Sequence, residues 1–465
     1  MSVQTLLVIG AGPGGYAAAL SGAARGLSVT LVDDQPIGGA CLNRGCIPSK
    51  YLLTRAKQTA DALRLRQAGV DLRLESVRID ELLREKDAVL ETLRQRMEQA
   101  AKSSRIQRLQ GRARFTSPHD MDVLSTGGTI QRVTADAIVL ATGTSPVMPS
   151  SFPNHPAILN STTIFELNYL PSHLVVLGAG YIGCELACAF QGLGSKVTLI
   201  EKEPRLLPTQ PEFEAASAIL TRSFERRGIT VWTQTRVDRV TPLDAQRLGI
   251  ACSNGESLEA NALLLALGRA PVTDGLDLAK AGVAVAAGRP NVNASFQTSV
   301  PHIYAIGDLV SPLPLAHTAA REAEVVIDHL FGHAAEMDYP NIPRCIYTWP
   351  EAAAVGLTEA QARDAGFTVR VDRYHFAASA KAMVEGEAEG FWLVISDTPN
   401  GRIVGAQVVG PHSTELIHLL ALAIRARQTL KDVAAAVFAH PTLSEGLQEL
   451  AARAQRSVQL KDQRR

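Results

Sequence analysis

The chain has no surplus of charge: its 46 basic and 46 acidic residues cancel. A protein built to hold nucleic acid or an anionic membrane usually carries a basic excess, so neither is expected as a partner. No apolar run approaches the ~20 residues that a membrane span needs. The run Leu6-Leu7-Val8-Ile9 is short, follows no basic region and leads straight into glycines. It predicts no secretory leader and a cytoplasmic protein. Cysteine is scarce, six in 465 residues, which excludes the disulfide framework of a small secreted protein. In a reducing compartment a close cysteine pair points to redox catalysis or to a metal.

What is present is an internal duplication. Residues 6–33 run from Leu6-Leu7-Val8-Ile9 through Gly10-Ala11-Gly12-Pro13-Gly14-Gly15 and an alanine-rich stretch to Val29-Thr30-Leu31-Val32-Asp33. Residues 174–201 repeat the pattern, so that Gly10, Gly12, Gly15 and Asp33 map onto Gly178, Gly180, Gly183 and Glu201 at one constant offset of 168. Each copy reads as a buried strand, a glycine turn, a helix and a second strand ending in an acid, which is the βαβ fingerprint of a dinucleotide site. The first glycine permits the turn, the second lets a pyrophosphate approach, and the third lets the helix pack closely. The helix N-terminus offers free N–H groups to the phosphates, and the closing acid is expected to bind ribose hydroxyls. A single such turn also serves plain packing; two in full context predict two dinucleotides. A carboxylate at Glu201 accepts from a 2′-hydroxyl and repels a 2′-phosphate, which favours NAD over NADP.

Strand-like runs ending in glycine recur at Asp136–Gly143, Asn261–Gly268 and Ile303–Asp308. Residues 54–110 predict a helical excursion with Val89, Leu93, Met97 and Ala100 on one face. Short strands and turns are expected over 111–135. After Gly332, runs such as Phe391–Ile395 and Ile403–Val409 alternate with alanine-rich helices and predict an α+β domain. The basic end, 453–465, is expected to be solvated. The fold class is therefore α/β, with two Rossmann-like units and a C-terminal α+β domain. The expected limits are 1–145 with 269–335, then 146–268, then 336–465.

Cys41 and Cys46 stand five residues apart just after the first fingerprint, in Gly38-Gly39-Ala40-Cys41-Leu42-Asn43-Arg44-Gly45-Cys46-Ile47-Pro48-Ser49-Lys50. Such a pair beside a nucleotide fold can hold and release two electrons, and a helix N-terminus there would favour thiolate. Two buried structural cysteines are the plain alternative; a metal needs more ligands than the segment supplies, and none is expected. Cys184, Cys188, Cys252 and Cys345 read as small core residues. Read alone, Lys50 is an ordinary helix lysine. His440 is a residue type that titrates near neutrality, and Thr442-x-x-Glu445 reads equally as a capping box.

In these segments, and in Tyr347-Thr348-Trp349-Pro350-Glu351 and His440-Pro441-Thr442-Leu443-Ser444-Glu445, the chain resembles the dihydrolipoamide dehydrogenases of the pyridine nucleotide–disulphide oxidoreductase family. The resemblance implies an FAD domain, an inserted NAD domain and a dimerisation domain. It assigns Gly10, Gly12, Gly15, Asp33, Gly143 and Asp308 to FAD, and Gly178, Gly180, Gly183 and Glu201 to NAD. It adds Ala113, Val237, Gly268 and Ala316 to the cofactor contacts. It makes Cys41–Cys46 the redox disulfide, with Cys41 toward substrate and Cys46 toward flavin. Lys50, paired with Glu185, would lie by the flavin, and His440, oriented by Glu445, would serve the cysteines of a second copy in a homodimer. The implied reaction oxidises dihydrolipoyl groups with NAD⁺, on the lipoyl domains and core of a 2-oxoacid dehydrogenase or glycine cleavage complex. Another family member, an NAD(P)H-dependent reductase of a disulfide such as glutathione, is the alternative, and it predicts more cations near residue 201. Two departures stand out: Ala40, where the family has threonine, and Ser379 and Lys381, where it has asparagine and arginine.

Overall fold

The structure, a computed structural model, describes residues 3–73 and 75–462, with side chains in the last helix through residue 457. Its first sheet has seven strands in the order Ile303–Ala305, Ala137–Leu140, Thr5–Ile9, Ser28–Asp33, Gln107–Phe115, Asp120–Ser125 and Ile130–Thr134. The first five are parallel and the last two fold back as a meander. Strands covered on both faces need unbroken apolar runs, and Leu6, Leu7 and Val8 are almost wholly buried.

The second sheet is parallel throughout, in the order Ile229–Trp232, Lys196–Ile200, His173–Leu177, Ala262–Leu265 and Ile158–Asn160. The duplication survives to the level of register. Val8 sits opposite Leu31 in the first sheet and Val176 opposite Leu199 in the second, a shift of 168 in both partners. The chain enters and leaves this second region through one antiparallel ribbon, Thr144–Pro146 against Arg269–Pro271.

The predicted helical excursion is two helices, Cys46–Gln67 and Ile79–Ser103. The second does not bury Val89; Lys86, Leu90 and Ala101 face inward, and the Lys86 ammonium donates to the Phe165 carbonyl. A lysine stem can cover apolar surface while its head finds an acceptor, so Lys86 and Leu90 take the inward place that the pattern gave to Val89, while Leu93, Met97 and Ala100 are half-buried and Met97 packs on the core. Beyond residue 340 a five-stranded antiparallel sheet carries Phe391–Asp397 and Ile403–Gly410 at its centre. Residues 453–462 of the expected solvated tail are the second half of a helix, Glu445–Asp462, and 463–465 lie outside the described residues; Arg453 and Arg456 are exposed, but Ala454 is buried, and Arg370 donates to its carbonyl and to the Ser457 hydroxyl. Among the described residues no helix is long and apolar enough to cross a membrane.

Candidate active site

The two glycine turns are built alike, and their three glycines do different things. Gly10 and Gly178 both sit at φ +103°, in the left-handed region that glycine adopts freely. A β-carbon on Gly15 or Gly183 would stand 1.8 Å from the carbonyl oxygen of Gly10 or Gly178, so these two glycines make close packing possible and do not face the cleft. The middle glycines are different. Gly12 and Gly180 have extended backbone that any residue adopts. A β-carbon on Gly12 would meet nothing nearer than 3.9 Å, and one on Gly180 nothing within 4 Å. The fold itself does not require glycine at either place; glycine there leaves open the space that a pyrophosphate against the helix N-terminus would need. Both turns therefore fit a dinucleotide.

The closing acids have a second task. Asp33 Oδ2 accepts from the Ala11 N–H at 2.6 Å and Oδ1 from Gln35 at 2.8 Å. Glu201 Oε2 accepts from Ala179 at 2.7 Å and Oε1 from Glu203 at 3.0 Å. Each acid ties the end of the second strand to the glycine turn, and each oxygen keeps a second lone pair for a ribose hydroxyl. Burial raises the Asp33 pKa. Of the cations near Glu201, Arg205 spends its guanidinium on the carbonyls of Leu206, Leu207, Pro208 and Gln210, and exposed Lys202 lies 3.7 Å from the Glu203 carboxylate. Neither is a free receptor for a 2′-phosphate.

Both turns open into one cleft of about 1500 Å³. Gly10, Gly12, Asp33, Ala113, Gly143, Asp308 and Ala316 line it from the first unit, and Gly178, Gly180, Glu201, Val237 and Gly268 from the second. Cys41, Cys46, Lys50 and Glu185 line it as well. Cys41 lies in the short helix Gly39–Arg44 and Cys46 opens the long helix Cys46–Gln67, with Gly45 between them. A side chain at Gly45 would press on the Ala40 carbonyl at 3.0 Å.

Both cysteines are free thiols, hydrogen-bonded to one another. That bond, with burial, pushes the Cys41 thiol well up. The same bond lowers Cys46, and the Lys50 cation lowers it further against the effect of burial. Cys46 is thus the readier of the two to carry the negative charge. Lys50 reaches Glu185 across the gap between the long helix and the helix Tyr181–Leu193, Nζ to Oε2 at 2.7 Å. Burial acts against the Lys50 charge, but the Glu185 carboxylate outweighs it and the net pKa is raised. Glu185 Oε1 accepts from the Tyr347 N–H at 3.1 Å, and the Lys50 ammonium lies 4.4 Å from the Tyr347 ring. Segments of all three sheet regions meet at this ion pair.

His440 and Glu445 lie elsewhere: neither lines the cleft, and the His440 side chain is 74% exposed. Glu445 makes the histidine contact and its own half of the capping pattern, while the Thr442 hydroxyl donates instead to the Ala439 carbonyl. Oε1 is 2.9 Å from His440 Nδ1, and Oε2 accepts from the Thr442 N–H at 2.7 Å. These bonds, Thr442 first, hold the Glu445 carboxyl below its usual range. A single chain does not bring this histidine to the cysteines that it would serve.

Cys184, Cys188 and Cys252 are buried as expected, but Cys345 is a half-buried cleft residue whose thiol burial pushes up to about 12. Its short strand, Arg344–Ile346, gives no sign of this in sequence. Of the two departures, Ala40 lines the cleft. Ser379 and Lys381 are occupied locally: Ser379 caps the helix Ala380–Glu385 and Lys381 pairs with Glu385 at 3.0 Å. Sequence reasoning missed Thr144, whose hydroxyl donates to Asp308 Oδ2 at 3.1 Å and accepts from Arg269 Nε at 2.8 Å.

Residues 4–323 match the pyridine nucleotide-disulphide oxidoreductase family, and residues 342–451 match its dimerisation domain. The chain is 36% identical to the dihydrolipoyl dehydrogenase of Bacillus subtilis (strain 168), over 96% of this chain and 97% of that protein. It is 38% identical to that of Thermus scotoductus, over 97% of each. Among solved structures, LpdA from Mycobacterium tuberculosis is similar with a TM-score of 0.90 at 27% identity, covering 97% of this chain and 100% of that one. The HOCl-induced flavoprotein disulfide reductase RclA from Escherichia coli is similar at 0.86 and 27%, covering 96% and 99%. Matches along nearly the whole length, on a fold that sets a dithiol between two dinucleotide turns, lead to one conclusion: the chain belongs to the pyridine nucleotide–disulphide oxidoreductase family.

Proposed function

We propose that the protein is a dihydrolipoyl dehydrogenase, oxidising dihydrolipoyl groups with reduction of NAD⁺ through FAD and the Cys41–Cys46 pair. The observation that carries this is the polarised dithiol, Cys46 lowered and Cys41 raised, on the wall of a cleft that two dinucleotide turns share. The full-length relatives named dihydrolipoyl dehydrogenase support the choice of substrate. Gly10, Gly12 and Asp33, with Gly143 and Asp308, hold FAD; Gly178, Gly180 and Glu201 hold NAD. Ala113, Val237, Gly268 and Ala316 complete the lining, while Gly15 and Gly183 act by packing. The chain divides at 1–145 with 269–335 (FAD), 146–268 (NAD) and 336–465 (dimerisation).

In the oxidised enzyme, His440 from a second copy takes a proton from a dihydrolipoyl thiol, with Glu445 fixing the imidazole and stabilising its charge. The substrate thiolate attacks the Cys41 sulfur; the Cys41–Cys46 bond breaks and Cys46 leaves as thiolate. The second substrate thiol closes on the first, releasing lipoyl disulfide and Cys41 as a thiol. Two electrons now rest on the cysteine pair. Bound FAD supplies the two-electron relay from dithiol to NAD⁺. The Lys50 ammonium, held by Glu185, stabilises negative charge on that wall. A homodimer follows from this need for His440 in trans, in agreement with the matched dimerisation domain. The lipoyl domains and core of a 2-oxoacid dehydrogenase or glycine cleavage complex present the substrate, and a reducing cytoplasm suits the dithiol chemistry.

The test mixes purified protein anaerobically with dihydrolipoamide and either NAD⁺ or NADP⁺. Rapid NADH formation, with NADP⁺ poor, is expected. A flavin-loaded dimer that ignores dihydrolipoamide yet reduces another disulfide with NADPH would overturn the reading.

A further inference from the structure

One buried acid takes no part in the chemistry above. Glu322 lies on the helix Ala316–Leu330, the next helix after the turn Gly307–Leu309, and is 0% exposed. Among the described residues no cation pairs with it. A carboxylate in such a place is costly unless hydrogen bonds hold it, and its bonds are specific. Oε2 accepts from the Gly307 N–H at 2.7 Å, and Oε1 from the Tyr339 hydroxyl at 2.8 Å.

Gly307 is the residue before Asp308, and it sits at φ +69°. Its carbonyl accepts from Val310 and Ser311, which closes the turn. Arg289 holds the far side through the carbonyls of Asp308 and Leu309, at 2.8 and 2.9 Å. The Asp308 carboxylate accepts from Thr144 and faces the cleft. Glu322 therefore fixes which way the 306–307 peptide points, and that peptide aims Asp308. The Tyr339 bond ties the same carboxylate to the segment leading into Arg344–Ile346 and then to Tyr347, whose N–H holds Glu185. One acid thus connects the Asp308 turn with the strand that supports the Lys50–Glu185 pair.

We infer that Glu322 is a positioning residue for the flavin site, presetting the Asp308 turn before FAD arrives; this rests on the assignment of Asp308 to FAD above. Gly307 requires an acceptor at this place, and charge is not what it needs. Glu322→Gln keeps an acceptor of the same shape, whereas Glu322→Leu keeps the bulk and removes the acceptor.

Three measurements on the full-length dimer test it. FAD dissociation constants, from apoprotein titrated with FAD, should stay within about threefold for Glu322→Gln and rise about tenfold or more for Glu322→Leu, the scale of one lost buried hydrogen bond. In a double-mutant cycle with Asp308→Ala, the Glu322→Leu loss should largely vanish, because an acid that acts through Asp308 has nothing left to aim. In wild-type apoprotein the Gly307 amide should be protected from hydrogen exchange before FAD is added; this needs no variant to fold. Full FAD affinity in Glu322→Leu, losses that simply add with Asp308→Ala, or a rapidly exchanging Gly307 amide would each overturn the inference. None of the readouts depends on dihydrolipoamide, so a wrong substrate assignment would leave them untouched.

Discussion

Cys41 and Cys46 differ by little more than a hydrogen bond and a neighbour, yet these decide which thiol carries charge. Cys46 receives the bond from Cys41 and feels Lys50. Because its pKa is lowered, its thiolate persists to lower pH than that of an ordinary cysteine and is lost as the pH falls further. Ultraviolet titration of reduced, flavin-free protein should therefore show one thiol ionising below the usual cysteine range and the second above it. Lys50→Met should move the first titration upward, since removing a nearby cation disfavours the anion. An unchanged midpoint would show that the Cys41 bond alone sets it. At this scale the sequence was partly legible. The cysteine spacing and the paired acids were visible, but Asp33 and Glu201 bind backbone as well as facing the cleft, and a carboxylate's choice of partner is a matter of geometry. Glu185 was reached only through the resemblance, and Glu322 was not singled out, because their partners, Lys50, Tyr347, Gly307 and Tyr339, are remote or unremarkable in the sequence.

At the level of the element, the two glycine turns let fold and ligand be separated by single methyl groups. Gly183→Ala would force a β-carbon to 1.8 Å from the Gly178 carbonyl oxygen. It should lower Tm by several degrees, as backbone clashes of a few kcal/mol do. Gly180→Ala should leave Tm unchanged or raise it slightly, since the native backbone there suits alanine and the unfolded chain loses freedom, worth about 0.4–1 kcal/mol. Its NADH affinity should nonetheless fall about tenfold or more, the scale of a pyrophosphate displaced from its hydrogen-bond donors. Calorimetry and NADH titration together check the pair; equal loss of binding in both variants at unchanged Tm would contradict it. The strand–turn–helix units were legible because buried parallel strands require continuous apolar runs. The helix Ile79–Ser103 was legible in type and only partly in facing: Met97 packs on the core, but Val89 is exposed and Lys86 turns inward where the pattern placed a polar surface. The last helix was hidden by its basic composition, although Ala454 is buried and Arg370 binds its backbone.

For the whole molecule, the separation of His440 from the cleft makes a sharp prediction about mixed dimers. Cys41→Ser and His440→Gln homodimers should each lose activity, the latter by about 10²–10⁴, the range of a general base. Subunits mixed one to one should recover about a quarter of wild-type turnover, because half of the dimers would have one complete site. If histidine and cysteine served each other within one chain, mixing would restore nothing. This two-copy arrangement rested in the sequence on resemblance alone, because nothing in a single chain's pattern reports what a second chain supplies.

The ribbon of Thr144–Pro146 against Arg269–Pro271 has a consequence for engineering. The polypeptide crosses into the region that carries Glu201 and out of it again at adjacent points, cross-tied by the Arg269 guanidinium to the Thr144 carbonyl at 2.6 Å. On the proposed assignment of Gly178, Gly180 and Glu201, the region that would select the nicotinamide coenzyme is a cassette with both splice sites side by side. Exchanging that cassette among relatives would retarget the electron acceptor while Cys41 and Cys46, which lie outside it, keep their own sequence and helices.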